Sequence, residues 1–159
     1  MSAASSVAAG AAATAREEPS LYQAIGQLLG LGEAVQSEVD LARSVERGIP
    51  ARAVERMRKQ LGLQDEEVHR LIVPRRTLSR RVAAKAPLSA EESDHAVRVA
   101  RVMALARGVF AGKPEYAQTW LREPKKALDG RAPIEVIATG PGARAVEEML
   151  IAIEHGMFA

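Results

Sequence analysis

The 159-residue chain has no cysteine, which excludes disulfides, thiol nucleophiles and cysteine-ligated zinc. Aromatic residues make up only 3%, so the core has to be aliphatic, drawn from Ala, Leu, Val and Ile. The three histidines, at 69, 95 and 155, are spread too widely to suggest a metal cluster, and neither a metal nor a cofactor is expected. No apolar run approaches the ~20 residues of a membrane span. The first residues are rich in Ala, Ser and Gly but lack a basic start and a bulky apolar stretch, so they make a poor secretory signal and a cytoplasmic protein is expected. There is no P-loop, no Ser/His/Asp arrangement and no patterned pair of carboxylates. The sequence predicts a protein that is not an enzyme.

What is present is charge, unevenly placed. The net charge is only +2, and 47% of residues are hydrophobic, enough for a folded core. Residues 1–42 carry net −4, residues 43–85 net +7 and residues 86–159 net −1. One contiguous third is strongly cationic and its flanks are not. Such asymmetry suggests that one module meets a polyanion and another serves a different purpose.

Apolar periodicity predicts an all-α fold. Residues 1–20 lack periodic bulky apolar residues and are expected to be a disordered tail. Helices are expected over 21–29, over 33–47 with Val35, Val39, Ala42 and Val45 on the inner side, and over 51–61. Gly48 and Gly62 stand as helix terminators. Short helices over 65–72 and 75–85 follow. Ser89 and Glu92 have capping-box spacing, which opens a long helix to residue 111 with a wide apolar face, a central buried element. Gly112 and Pro114 are expected to end it. Helices over 116–122, 134–138 and 143–155 complete the chain, with Gly130, Gly140 and Gly142 at turns and Gly156 as a terminator. The chain is expected to divide into the tail 1–20, a cationic region 21–88, and a region 89–159 holding the central helix and the C-terminal block.

The pair 65–72 and 75–85 has the layout of a helix-turn-helix. On the second helix, Leu78 and Val82 share the inner face, while Arg76, Thr77, Arg80, Ala83 and Ala84 point away. Two arginines among small residues fit a major groove, because the guanidinium fork matches guanine O6 and N7. Arg75, Ser79, Arg81 and Lys85 flank this face and suit phosphates. The turn Ile72-Val73-Pro74 lacks the glycine often found there, and Gln64 replaces the usual small N-cap residue.

The C-terminal block carries Trp120-Leu121, Pro124, Leu128, Gly130, Pro133 followed by Ile134-Glu135-Val136-Ile137, then Thr139, Gly142 and the ending Ile153-Glu154-His155-Gly156-Met157-Phe158. Trp120, the only tryptophan, reads by itself as a core anchor, and the glycines as turn positions. Gly140-Pro141-Gly142-Ala143-Arg144-Ala145 imitates a dinucleotide-binding glycine motif, but that motif needs a strand before it and an acid ~20 residues later, and only 14 residues follow Ala145.

In order and spacing these elements resemble the toxin-binding domain of Xre/MbcA/ParS-type antitoxins. Arg76-Thr77-Leu78 with Arg80-Arg81, and Leu88-Ser89 with Glu92, also resemble the antitoxins of this group that pair with RES-domain toxins. The resemblance spans roughly residues 30–158. Lys125, Val136-Ile137 and Ala152 depart from the pattern while keeping the helical spacing. The resemblance implies an antitoxin that binds a RES-type, NAD-degrading toxin through Trp120, Leu121, Pro124, Leu128, Gly130, Pro133, Thr139, Gly142, Ile153, Gly156, Met157 and Phe158. It places the C-terminal end near the toxin's active-site entrance. Operator DNA is the second implied partner, met as a homodimer. The alternative is a stand-alone transcription regulator whose C-terminal block only dimerises.

Overall fold

The computed structural model describes residues 19–111 and 113–157. The expected tail up to residue 18, the stop at Gly112 and the placement of Phe158 lie outside the described residues. Nine α-helices and no β-strand make up the described chain: α1 Leu21–Leu28, α2 Glu38–Arg47, α3 Arg52–Leu61, α4 Asp65–Leu71, α5 Arg75–Ala83, α6 Ala90–Val109, α7 Pro114–Arg122, α8 Pro133–Val136 and α9 Gly140–Glu154. Short 3-10 turns lie at Gly32–Ala34 and Lys126–Leu128. The all-α expectation is met.

Local chemistry sets the helix ends. The Ser89 hydroxyl accepts the Glu92 N–H at 3.1 Å and the Glu92 carboxylate accepts the Ser89 N–H at 2.9 Å, the reciprocal cap that the sequence announced. Gly48 and Gly62 end α2 and α3 at φ 87° and 63°, where a side chain would be strained.

Three expectations need correction. The helix expected from residue 33 starts at Glu38, because Ser37 caps Asp40 and the Asp40 carboxylate takes the Gln36 N–H at 3.0 Å. Val35 is fully buried, but in extended backbone before the helix. A helical phase anchored on Val35 is therefore wrong: Val39 is 59% exposed and Leu41 points inward instead. Pro114 opens α7 rather than merely closing α6, and proline at a first helical position lacks only a donor that is unpaired anyway. Finally, α9 begins at Gly140, not Ala143. Thr139 caps the Gly142 N–H at 3.1 Å, which draws Gly140 and Gly142 into the first turn of the helix.

The long helix α6 is the spine. It packs against α1, α2, α3, α4, α7 and α9, and buries Val99, Ala100, Val102, Met103 and Ala106. Its Ser93 hydroxyl, fully buried, accepts the Ile49 N–H at 2.9 Å. The Leu88 N–H donates to the Ile49 carbonyl at 2.8 Å. The α2–α3 link is thereby stitched to the α5–α6 link, just beyond the C-terminal end of α5.

Candidate nucleic-acid interface and partner-docking face

The α4–α5 pair has helix-turn-helix connectivity, and its turn is apolar where glycine is common. Ile72 and Val73 are 3% and 1% exposed, so the turn is anchored by burial rather than by glycine's freedom. Two imidazoles sit on its carbonyls. His69 Nδ1 lies 3.2 Å from the Val73 oxygen and His95 Nδ1 lies 3.3 Å from the Ile72 oxygen, each donating in the tautomer that carries the proton there. Their wide spacing in sequence gave no hint of this shared task.

Helix α5 buries Leu78 and keeps Val82 half-buried. Arg75, Arg76, Ser79, Arg80, Ala83 and Ala84 are exposed, while Thr77 is half-buried. Ser79, expected at the flank, shares the outward face with Arg76. Arg75 lines a groove of about 460 Å³ between α3, α4 and α5, together with Glu55, Arg58 and Asp65. Arg81 is turned inward: its Nε lies 2.8 Å from Glu92 Oε2 and its Nη2 donates to Glu92 Oε1 at 3.1 Å. Burial alone would raise the Glu92 pKa, but the Ser89 N–H and the Arg81 guanidinium outweigh it and hold the carboxyl below its ordinary range. Arg81 therefore fastens α5 to α6.

Other arginines are committed in the same way. Arg58 lies between Glu55 and Asp65, at 3.5 and 3.4 Å. Arg98 donates to Asp94 at 3.1 Å and to the Ala138 carbonyl at 3.1 Å. Arg101, on α6, grips the Glu38 carboxylate of α2 and approaches Glu147 of α9 at 4.0 Å. That grip holds the Glu38 pKa low, whereas burial raises that of Glu147. By contrast, Arg75, Arg76 and Arg80 make no ion pair among the described residues.

The C-terminal block folds onto the helix-turn-helix rather than hanging from α6 alone. Arg122 of α7 donates to Glu67 of α4 at 2.7 Å and to the Gly62 carbonyl at 3.1 Å. Glu67 is 8% exposed and also accepts the Gln64 N–H at 2.9 Å, so the start of α4 is tied from Glu67 and not by the Gln64 side chain. Arg70 reaches the Ile134 carbonyl at 3.4 Å. Trp120 is half-buried, its ring 6.1 Å from that of Phe110, with Lys125 Nζ 5.0 Å from the indole centroid.

The toxin-facing residues named from sequence fall into buried, half-buried and exposed groups. Leu121 is 1% exposed and Pro133 is also buried, so both pack the interior. Leu128, Gly142 and Ile153 are half-buried. Gly142 is there for space, since a Cβ would collide with the Val136 carbonyl oxygen. Pro124, Gly130, Thr139, Gly156 and Met157 are exposed, Met157 by 75%. Tyr116, which sequence reasoning passed over, is 59% exposed one helical turn before Trp120. Among the described residues no cluster of three metal-capable side chains occurs, and no helix is long and apolar enough to cross a membrane.

Two family models match the chain. Residues 40–101 match the antitoxin Xre-like helix-turn-helix domain, and residues 105–156 match the antitoxin Xre/MbcA/ParS C-terminal toxin-binding domain. The junction between them falls inside α6. A protein named "Antitoxin Xre" from Pseudomonas putida is 40% identical over 85 residues, 54% of this chain and 53% of the relative. Another of that name from Yersinia enterocolitica is 36% identical over 87 residues, 55% and 59% of the two chains. A Sphingobium protein named "Prs ADP-ribosylating antitoxin" is 27% identical over 132 residues, 77% and 83% of the two chains. The match spans little more than half the length of the first two relatives.

Proposed function

We propose that this chain, which carries both domains of the Xre/MbcA/ParS-type antitoxins, is a non-enzymatic antitoxin with two separate binding surfaces. Its C-terminal region holds a RES-type, NAD-degrading toxin inactive. Its α5 helix binds the operator of its own operon and represses it. Residues 21–88 serve nucleic acid and residues 89–159 serve the toxin, with α6 as the shared spine. The protein works in the cytoplasm as a homodimer, since one short recognition helix gives limited affinity and paired half-sites multiply it.

The observation that carries this reading is the presence, in one chain, of an α5 arginine face without ion-pair partners among the described residues and of exposed Tyr116 and Met157 in the C-terminal region. Exposed Arg76 and Arg80 favour phosphate and base contacts, and binding through them weakens with added salt. Tyr116, half-buried Trp120 and Met157 favour a protein partner, since such residues supply contact area with little conformational cost.

Co-expression with the product of the neighbouring reading frame tests the reading. The expected result is growth rescue, co-purification, and loss of rescue on deleting residues 156–159 with the helical content unchanged. A neighbour that is harmless alone, or that does not co-purify, contradicts it.

The name of the Sphingobium relative favours a second reading of the partner, an enzyme that transfers ADP-ribose to a protein. Both chemistries consume NAD. Free nicotinamide with unmodified protein identifies degradation, and ADP-ribose on a target protein identifies transfer.

A further inference from the structure

The α5 face has a chemical bias that reaches beyond phosphate binding. Arg76 and Arg80 lie one helical turn apart and are both exposed. Neither is drawn to a carboxylate among the described residues, although Arg81 beside them is tied to Glu92. Ser79 and Ala83, both exposed, are the small side chains on the face with Arg76. They let the helix axis come close enough for arginines to reach base edges rather than stopping at the phosphates.

Four residues of helix rise about 6 Å, and stacked bases are about 3.4 Å apart, so the two guanidinium forks span about two base steps. A guanidinium fork is donor-only and planar, which matches the paired acceptors O6 and N7 of guanine and no other major-groove edge as well. Arg75 sits to one side, at the groove shared with Glu55, Arg58 and Asp65. Its charge suits the phosphate backbone, where no base is distinguished.

From this placement we infer that the duplex recognised by α5 contains two guanines within three consecutive base pairs, one read by Arg76 and the other by Arg80. The inference rests on the proposed DNA binding and specifies its ligand. Arg76 and Arg80 are the specificity residues and Arg75 is a phosphate contact.

Selection of bound duplexes from a randomised library by the full chain provides the test, run with the unaltered protein and with Arg76→Lys, Arg80→Lys and Arg75→Ala. The unaltered protein is expected to enrich a motif with two guanines at that separation. Lysine keeps the charge but not the fork, so each lysine variant should lose about tenfold of its preference at one guanine and keep the other. Arg75→Ala should weaken binding to all duplexes alike and leave the motif intact. An enriched motif without the guanine pair, or lysine variants that select the unaltered motif, overturns the inference while leaving DNA binding standing. Retention of no duplex overturns the DNA reading and this inference together.

Discussion

The outward face of α5 and the contact of α7 with α4 use arginine in opposite ways. Arg122 of α7 is spent inward, on the Glu67 carboxylate and the Gly62 carbonyl, as Arg98 of α6 is on the Ala138 carbonyl. Arg76 and Arg80 are held outward with nothing to neutralise them among the described residues. The same side chain is a fastener in one place and a free outward charge in the other. What separates the two fates is the supply of nearby carboxylates: the outward face of α5 has none. A charge left unpaired on a rigid helix costs little in water and gains much against a polyanion. Sequence runs of arginine therefore say less than the partners those arginines find.

If the inward half of this comparison is right, closing the α8–α9 corner matters most to stability. Gly142→Ala should cost about 3 kcal/mol, because its Cβ would meet a backbone oxygen that cannot step aside. Thermal unfolding should show a fall of roughly 10 °C for a chain of this size. Gly108→Ala is the internal contrast. This exposed helical glycine has open space around it, so alanine there should raise stability by about 0.5–1 kcal/mol.

Next in size is the clamp between regions. Removing Arg122 leaves the Glu67 carboxylate nearly buried and unpaired. Arg122→Ala should cost about 2 kcal/mol in a urea titration, below the full value for a buried pair because the Arg122 side chain is 29% exposed. A change under 0.5 kcal/mol would mean that the two regions are not coupled at this contact.

Glu92 links the joint of α5 to pH. Its folded pKa is held below the ordinary value of 4.5, so the protonated form is disfavoured in the fold. The resulting stability is present above pH 4.5 and is lost as pH falls through the lowered folded value. Glu92→Gln should be about 1 kcal/mol less stable at neutral pH, through a weakened cap and a lost ion pair. It should also lose less stability than the unaltered protein on acidification. An unchanged acid profile would show that Glu92 is not the titrating group.

The smallest effect should be at Arg43, whose side chain is 63% exposed and 3.8 Å from Asp40. Arg43→Ala should change stability by less than about 0.5 kcal/mol. It marks the boundary between an ion pair that fastens and one that merely occurs.

Much of the fold was legible because its signals are local. Ser89 with Glu92, Gly48, Gly62 and the prolines mark helix ends through backbone chemistry that acts within a few residues. The start of α2 was not legible, because Val35 and Val39 fit a helical period that the Ser37–Asp40 cap overrides. In the candidate site the outward arginines of α5 could be read from helical phase alone. The inward turn of Arg81 could not, since Glu92 lies 11 residues away. Arg122 and Glu67 are 55 residues apart, and only the packed fold shows that the C-terminal block is bolted to α4. Long-range pairing of charges leaves no periodic trace in a single sequence.

The most direct test of the central claim replaces Arg76 and Arg80 together by alanine and reads two outputs from one protein. Duplex binding to the DNA upstream of the chain's own reading frame should fall by about a hundredfold or more. Rescue of cells expressing the product of the neighbouring reading frame should persist at the level of the unaltered protein. Duplex affinity within twofold of the unaltered protein, or rescue lost together with DNA binding in a variant that still unfolds normally, would contradict the claim that the two surfaces are separate.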